Sequence, residues 1–237
     1  MSAAAGGRDV GVVIVAAGSS TRAGGGASGE LKQFRWVAGK PMLLHSLQTF
    51  QERNDVAMVV CVLPRQMAGD PPPWLFQCDT DRMLVATGGA TRSDSVRSGL
   101  EDLPGECRYV LIHDAARPLV TSAMIDRVVT EARKGHGAIA ALPVVDTLKR
   151  VDADGRIGAT VDRATLWRAQ TPQGFPREMI LKAHDHALAT GMSATDDAAL
   201  CEALGLEVVV VPGSERAMKV TDDADFGRAD ALRALDE

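Results

Sequence analysis

Residues 10–22 read VGVVIVAAGSSTR, an apolar run that passes directly into a loop of glycine, serine and threonine ending at Arg22. The part from 10 to 17 contains no polar side chain, as expected of a strand that helices cover on both faces. Ligands of open α/β sheets bind outside the carboxyl ends of the strands. This stretch therefore predicts a central strand followed by a candidate binding loop.

Strand-like and helix-like segments alternate on the C-terminal side of this run, which predicts a mostly parallel sheet with helices on both faces. We expect one α/β domain over residues 1–237. The predicted strands are 56–63, 83–86, 109–112, 138–145 and 206–211. The predicted helices are 41–53, 93–103, 122–134, 177–190, 196–204 and 222–235.

Two segments depart from this alternation. Residues 65–80 contain three consecutive prolines and are expected to form an irregular connection. Residues 146–163 are polar, and Asp154-Gly155 is placed as the turn of a hairpin. Such a hydrophilic hairpin does not belong to a core, so we expect it to project from the domain as an arm.

Composition limits the partners. Apolar residues make up 46% of the chain and its net charge is −5, so neither nucleic acid nor a membrane is expected as a partner. The sequence has no apolar run of the roughly 20 residues that a membrane span needs, and because residues 1–9 are small and polar, we expect no signal peptide. The four cysteines are scattered, which favours a reducing cytoplasm over a zinc site or a disulfide framework.

The loop after the first strand is the first candidate site. Its glycines would let backbone N–H groups approach phosphate oxygens, and Arg22 and Lys32 would supply cations for a nucleoside triphosphate. The loop lacks the Gly-Lys-Ser/Thr of a Walker A motif. A plain surface loop is the alternative interpretation.

A second candidate is GGATRSDS at 88–95, after a predicted strand and at the start of a helix. Its paired glycines would allow close approach to a flat base, and Ser95 would offer a hydroxyl. Alternatively, Ser93 or Asp94 is an N-cap and Arg92 is solvated.

The third candidate is HDAARP at 113–118, again at a strand end. Asp114 could hold Mg²⁺ or a ribose hydroxyl, and Arg117 could bind a phosphate with two hydrogen bonds. An internal ion pair between these two residues is the alternative. His113 is expected to be a packed, hydrogen-bonded histidine rather than a catalytic base.

Taken in order, the motifs resemble the 2-C-methyl-D-erythritol 4-phosphate cytidylyltransferase family over about residues 10–226. The resemblance rests on AAGSSTR (16–22), LKQF (31–34), GGATRSDSV (88–96), HDAARP (113–118), DTLKR (146–150), VDR (161–163), AQTPQGF (169–175), TDDA (195–198) and MKVT (218–221). It implies a Rossmann-like nucleotidyltransferase domain that transfers CMP from CTP to methylerythritol phosphate in non-mevalonate isoprenoid biosynthesis.

The resemblance also implies roles for individual residues. The catalytic residues would be Arg22, Lys32, Arg163 and Lys219. The nucleotide would contact Ala16, Ala17, Gly18, Gly89, Arg92, Ser95, Asp114 and Ala115. The acceptor would contact Arg117, Thr147, Thr171 and Thr195. Mg²⁺ or another divalent cation would be the cofactor, with Asp114 as its candidate ligand, and the arm would reach the active site of a second subunit in a homodimer.

Three alternatives stay open. A D-ribitol 5-phosphate cytidylyltransferase would share the fold and most nucleotide-side residues. A dinucleotide-dependent oxidoreductase is disfavoured, because no acidic residue directly follows the second strand to bind a ribose. A non-catalytic nucleotide sensor would have no evident need for this set of residues together: Arg22, Lys32, Asp114, Arg163 and Lys219.

Overall fold

The computed structural model describes residues 7–18 and 31–235. The strands in chain order are β1 (Val10–Val15), β2 (Trp36–Val37), β3 (Lys40–Pro41), β4 (Val56–Leu63), β5 (Met83–Thr87), β6 (Tyr109–Asp114), β7 (Gly137–Pro143), β8 (Leu148–Val151), β9 (Ile157–Val161), β10 (Trp167–Pro176) and β11 (Val208–Pro212). The α-helices are α1 (Met42–Gln51), α2 (Arg65–Ala68), α3 (Arg92–Glu101), α4 (Ser122–Arg133), α5 (Arg177–Thr190), α6 (Asp197–Ala203) and α7 (Asp223–Ala234).

Seven strands form one sheet in the order β11-β7-β10-β6-β1-β4-β5. β1 pairs in parallel with β4 on one side and with β6 on the other. β10 runs antiparallel to both of its neighbours, β6 and β7. The predicted α/β fold with a mostly parallel, mixed sheet is therefore confirmed. Strand order reverses at β1, and a crevice at such a reversal is where open α/β sheets bind ligands.

Helices cover both faces of this sheet. Successive side chains of a strand point to opposite faces, so a buried strand contributes to a core on each side. Val12 and Ile14 of β1 pack in one cluster with side chains of α1 and α4. Val13 packs on the other side with side chains of α3, α5 and α6. Burial on both sides explains why the sequence of β1 is apolar without alternation.

A third hydrophobic cluster packs helix α7 against the β2–β3 hairpin. Phe226 of α7 packs with Val37 and Val220. The β2–β3 turn has positive φ at both central residues, Ala38 (44°) and Gly39 (80°). Alanine rarely adopts such a φ, and here its N–H donates to Asp230 of α7 at 2.7 Å. The segment that follows Lys32 is thus connected to α7.

The predicted polar hairpin is present as β8 and β9, which form a sheet of their own. Every residue from 148 to 160 is exposed, and Gly155 takes the positive φ of the turn (78°). The arm projects as expected.

One expectation about elements was wrong, and some strands were not predicted. Residues 65–80 are not simply irregular, because they contain α2 and the 3-10 helix Pro73–Gln77. The short strands β2 and β3 were not predicted, and neither was β10, although β10 lies inside the large sheet between β7 and β6. Within residues 7–18 and 31–235, no helix combines the length and apolar composition that a bilayer span requires.

Candidate active site

A cavity of about 610 Å³ opens at the carboxyl ends of the parallel strands. It lies where β1, β5 and β6 end, at the reversal of strand order. The described residues that line it are Val15, Ala16, Ala17, Gly18, Lys32, Gln33, Gly89, Ala90, Thr91, Arg92, Ser95, Asp114, Ala115, Ala116, Lys219 and Thr221. All eight residues predicted to bind the nucleotide are among them, together with Lys32 and Lys219.

Gln33 fixes the start of the loop after β1 through hydrogen bonds to its backbone. The amide nitrogen of this buried side chain donates to the carbonyl oxygens of Ala16 (2.6 Å) and Gly18 (3.3 Å). Lys32 and Gln33 both belong to the short 3-10 helix Lys32–Phe34, and the Nζ of Lys32 donates to the carbonyl oxygen of Val220 at 2.8 Å. Arg22, the other predicted cation of this loop, lies outside the described residues.

The 88–95 segment forms a capped turn into α3. Thr91, rather than Ser93 or Asp94, is the N-cap, and it forms a capping box with Asp94. Ser95 is buried; its hydroxyl accepts from the N–H of Gly89 at 3.1 Å and donates to the carbonyl of Thr91 at 3.0 Å. Ser95 therefore shapes the turn beside the cavity in addition to lining it.

Asp114 is the centre of the charge pattern in the cavity. Its Oδ1 accepts from Nε of Arg92 at 3.2 Å and its Oδ2 from Nζ of Lys219 at 2.6 Å. Arg92 also donates to Asp197 at 2.7 Å, so the alternative of a solvated Arg92 is wrong. Burial opposes ionisation of Asp114, but the two cations hold its pKa well below the usual range.

Arg117 is not the salt-bridge partner of Asp114, contrary to the alternative interpretation of the HDAARP motif. Its guanidinium donates instead to the carbonyl oxygens of Ala217 (2.7 Å) and Ala169 (3.3 Å). Its buried Nε has no hydrogen-bond partner in the part of the chain that the structure describes. Burial lowers the pKa of Arg117. The side chain links β10 to the segment that leads to Lys219.

His113 is fully buried beneath the cavity, as predicted. Its Nε2 lies 3.1 Å from the carbonyl oxygen of Arg117, and its Nδ1 lies 3.1 Å from the hydroxyl of Thr171. That hydroxyl also accepts from the N–H of Asp114 at 3.0 Å. Burial lowers the pKa of His113 to about 4, so the ring is neutral near pH 7. Thr171, a predicted acceptor contact, is buried in this network.

The predicted acceptor contacts Thr147 and Thr195, and the predicted catalytic residue Arg163, lie elsewhere. Thr147 and Arg163 border a separate cavity of about 390 Å³ at the base of the arm. The guanidinium of Arg163 donates to the carbonyl oxygen of Val145. Thr195 is exposed just before α6 and does not line the larger cavity. Within this chain, Thr147 and Arg163 therefore do not line the cavity that contains Asp114 and Lys219.

Sequence reasoning missed two buried side chains that support the site, Gln33 and Gln173. Gln173 lies on β10 and binds the start of α6. Both lie in motifs quoted above, LKQF and AQTPQGF, but neither carries a charge and the contacts of each cross many residues of sequence, so the motifs assigned them no role. Within the described ranges there is no group of three or more His, Cys, Asp or Glu side chains able to hold a metal ion.

The chain is similar to known proteins over almost its whole length. A profile of the family described as IspD, 2-C-methyl-D-erythritol 4-phosphate cytidylyltransferase, matches residues 10–234. The protein of that name from Roseobacter denitrificans is 44% identical, covering 96% of this chain and 98% of its own. The Thermus thermophilus crystal structure of 2-C-methyl-D-erythritol 4-phosphate cytidylyltransferase has a TM-score of 0.77 at 35% identity, covering 94% of this chain and 98% of its own.

Some relatives are longer. The bifunctional enzyme IspD/IspF of Rhodospirillum rubrum is 47% identical over 94% of this chain, but the match covers 56% of that enzyme. A second bifunctional relative, from Solidesulfovibrio magneticus, is covered over 54% of its length. The chain thus spans about half the length of these relatives. With a profile match over nearly all its residues, it belongs to the 2-C-methyl-D-erythritol 4-phosphate cytidylyltransferase family.

Proposed function

We propose that this chain transfers CMP from CTP to 2-C-methyl-D-erythritol 4-phosphate. The products are 4-diphosphocytidyl-2-C-methyl-D-erythritol and pyrophosphate, within non-mevalonate isoprenoid precursor biosynthesis. The observation that carries the proposal is the concentration of Lys32, Arg92 and Lys219 around one cavity of a chain whose net charge is −5. Such a local cluster suits a polyanionic ligand that the rest of the molecule would repel.

The reaction asks for little proton transfer. A phosphate oxygen of the acceptor attacks the α-phosphorus of CTP, a new P–O bond forms, and the bond to the β-phosphate oxygen breaks as pyrophosphate leaves. A phosphate monoester is already an anionic nucleophile near pH 7, so catalysis consists of alignment and charge neutralisation. The neutral, buried His113 fits this scheme, because no general base is needed.

We assign one set of cavity residues to CTP and another to the acceptor phosphate. We assign Lys32, with Arg22, to the triphosphate, where positive charge stabilises the transition state. The loop after β1 and the turn from Gly89 to Ser95 would hold the cytidine. Lys219 would hold the acceptor phosphate, since its ammonium has three donors and Asp114 takes one.

Mg²⁺, or another divalent cation, is the proposed cofactor. Mg²⁺ commonly binds through one or two carboxylates together with substrate phosphates and water. Asp114 fits this pattern, because it is ionised, lines the cavity and has further lone pairs beyond its two hydrogen bonds. The cation would neutralise triphosphate charge, and the triphosphate would supply most of its coordination.

We also propose a homodimer in which the arm of one subunit completes the acceptor site of the other. The position of Thr147 and Arg163 on an exposed hairpin, apart from the cavity, supports this assembly. Arg163 would then approach the acceptor phosphate from the partner. The expected cytoplasmic location stays a prediction.

The first test is pyrophosphate release with Mg²⁺, using CTP, UTP, ATP or GTP against methylerythritol phosphate or ribitol 5-phosphate. We expect turnover only with CTP and methylerythritol phosphate. Turnover with ribitol phosphate alone would contradict the proposed acceptor but retain the mechanism. Absence of turnover with every pair, while CTP still binds, would support a nucleotide sensor instead.

A further inference from the structure

Asp197 is a buried carboxylate that no part of the proposed reaction uses. It is the first residue of α6 and is 1% exposed. Its Oδ2 accepts from Nη1 of Arg92 at 2.7 Å, and its Oδ1 lies 3.1 Å from Nε2 of His184, which is also buried. Burying a carboxylate carries a large desolvation penalty, so a position that needs only packing favours an apolar residue.

Arg92 connects this buried carboxylate to the cavity. Its Nη1 binds Asp197 while its Nε binds Oδ1 of Asp114. An arginine side chain has many rotamers, and two carboxylates that bind different nitrogens of a planar guanidinium select one of them. With Oδ1 of Asp114 bound in this way, its Oδ2 is left to Lys219 at 2.6 Å.

One strand, β10, sets both ends of this bridge. The hydroxyl of Thr171 accepts from the backbone N–H of Asp114. Two residues further on, Oε1 of Gln173 accepts from the N–H groups of Asp197 and Ala198, each at 3.1 Å. Nε2 of Gln173 donates to Asp196 at 2.7 Å. The strand therefore fixes the distance that Arg92 has to span.

We propose that Asp197 is a positioning residue for the proposed cytidylyl transfer: through Arg92 it orients the Asp114 carboxylate toward Lys219. The inference rests on the proposed function. Asp197 itself touches neither substrate. A purely structural role, in which Asp197 only fastens α6 to β10, is the competing explanation, and the two differ in whether the effect of Asp197 depends on Arg92.

A double-mutant cycle tests this dependence. Asp197→Asn keeps the shape of the side chain, and Arg92→Lys keeps the charge but cannot bind both carboxylates in the same way. We expect Asp197→Asn to lower kcat about tenfold in the wild-type background and less than about twofold in the Arg92→Lys background, since residues that act as a unit are not additive. An equal loss in both backgrounds would overturn the proposal.

The matched control is Leu200→Val, which alters a buried residue of the same helix that packs in the core. It should lower the unfolding temperature while kcat, corrected for the folded fraction, stays at the wild-type value. A loss of kcat in Leu200→Val as large as in Asp197→Asn would show that any disturbance of α6 is sufficient, and would contradict a specific role for Asp197.

A second measurement is independent of turnover. NMR would follow the Nε–H of Arg92 in the unliganded protein, with its signal identified by its loss in Arg92→Lys. Asp197→Asn should shift this signal and speed its exchange with water, whereas Leu200→Val should leave it in place. An unchanged signal in Asp197→Asn would refute the bridge. If the wild-type protein shows no turnover, the proposed function fails, but this measurement still decides whether Asp197 holds Arg92.

Discussion

Lys32 offers the most direct test of single-residue chemistry in the cavity. Its ammonium is 2.8 Å from the carbonyl oxygen of Val220, in the wall from which Lys219 also projects. Removing a preorganised group that stabilises developing charge costs about 10²–10³ in kcat. We expect this loss for Lys32→Ala, measured as pyrophosphate release at saturating CTP.

The matched control for this variant is Lys182→Ala, which removes an exposed lysine of α5. It should leave kcat unchanged. Turnover of Lys32→Ala within a factor of about two of wild type would remove Lys32 from the mechanism, because preorganised donors have larger effects.

His113 makes a prediction about pH and stability. Burial lowers its pKa to about 4 in the folded state, against about 6.5 in an unfolded chain. The unfolded state therefore binds the proton more readily between these values, and the folded state loses stability as pH falls below about 6.5. Between pH 7 and pH 5 the loss from this residue is up to about 2 kcal/mol.

Urea unfolding of wild type and His113→Gln at both pH values measures this term. The variant should have lower stability at pH 7 but a smaller change toward pH 5, since it lacks the titrating ring. Burial lowers the pKa of His45 as well, but that residue is present in both proteins and cancels in the comparison. Asp114 has a lowered pKa, so its contribution is lost only below about 3.9. Equal pH dependence in the two proteins would contradict the assignment.

At the scale of elements, Gly88 is the position where the turn after β5 packs closely against the loop after β1. A Cβ at this position would lie 2.2 Å from the Cβ of Ala17 and 3.1 Å from the carbonyl oxygen of Leu63. The sequence suggested that the glycine pair admits a flat base, whereas the structure shows that Gly88 permits contact between two loops of the protein.

Gly88→Ala should therefore lower the free energy of unfolding by about 1–3 kcal/mol, as other overpacking changes do. It should also raise KM for CTP, because both loops border the cavity. Adding Ala17→Gly removes the opposing Cβ and should recover part of the stability. Gly105→Ala, with open space around the added methyl, is the control. If the double variant is no more stable than Gly88→Ala, the contact with Ala17 is not the cause.

The strands also show which elements can be predicted from a local sequence pattern and which cannot. The continuous apolar sequences of β1 and β4 predicted both strands closely. β10 was not predicted because its last seven residues, QTPQGFP, combine two prolines with polar side chains. Its Gln170, Thr171 and Gln173 are nevertheless buried. These three side chains hydrogen-bond to the 213–214 segment, β6 and α6, and these bonds offset the free-energy cost of burying polar groups. The partners are distant in sequence, so the local pattern of residues does not reveal them.

At the scale of the whole molecule, the proposed homodimer predicts complementation between subunits, because the arm lies apart from the cavity. Lys32→Ala disables the cavity of a chain, and Arg163→Ala disables its arm. In a mixed dimer with shared sites, one site receives an intact cavity and an intact arm. Random exchange should restore about a quarter of the wild-type sites, since half of the dimers are mixed and each has one intact site.

This experiment mixes the two inactive variants, allows subunit exchange, and follows pyrophosphate release over time. Arg163→Ala alone should impair use of the acceptor while CTP binding stays near wild type. Activity that never exceeds the sum of the separate variants, when exchange has been verified by sedimentation of labelled chains, would contradict shared sites.

The sequence by itself determined the order of most strands and helices, the polar arm and the residues at the strand ends, because apolar periodicity and turn composition are local properties. Only the tertiary structure decided which charges meet. Asp114 binds Arg92, 22 residues away, and Lys219, 105 residues away, rather than Arg117 three positions along the chain. Asp197 reaches Arg92 across 105 residues. The order of strands in the sheet brings these charges together, and the free-energy cost of burying an unpaired charge favours their pairing. The residues that neighbour each charge in the sequence give neither the strand order nor the burial.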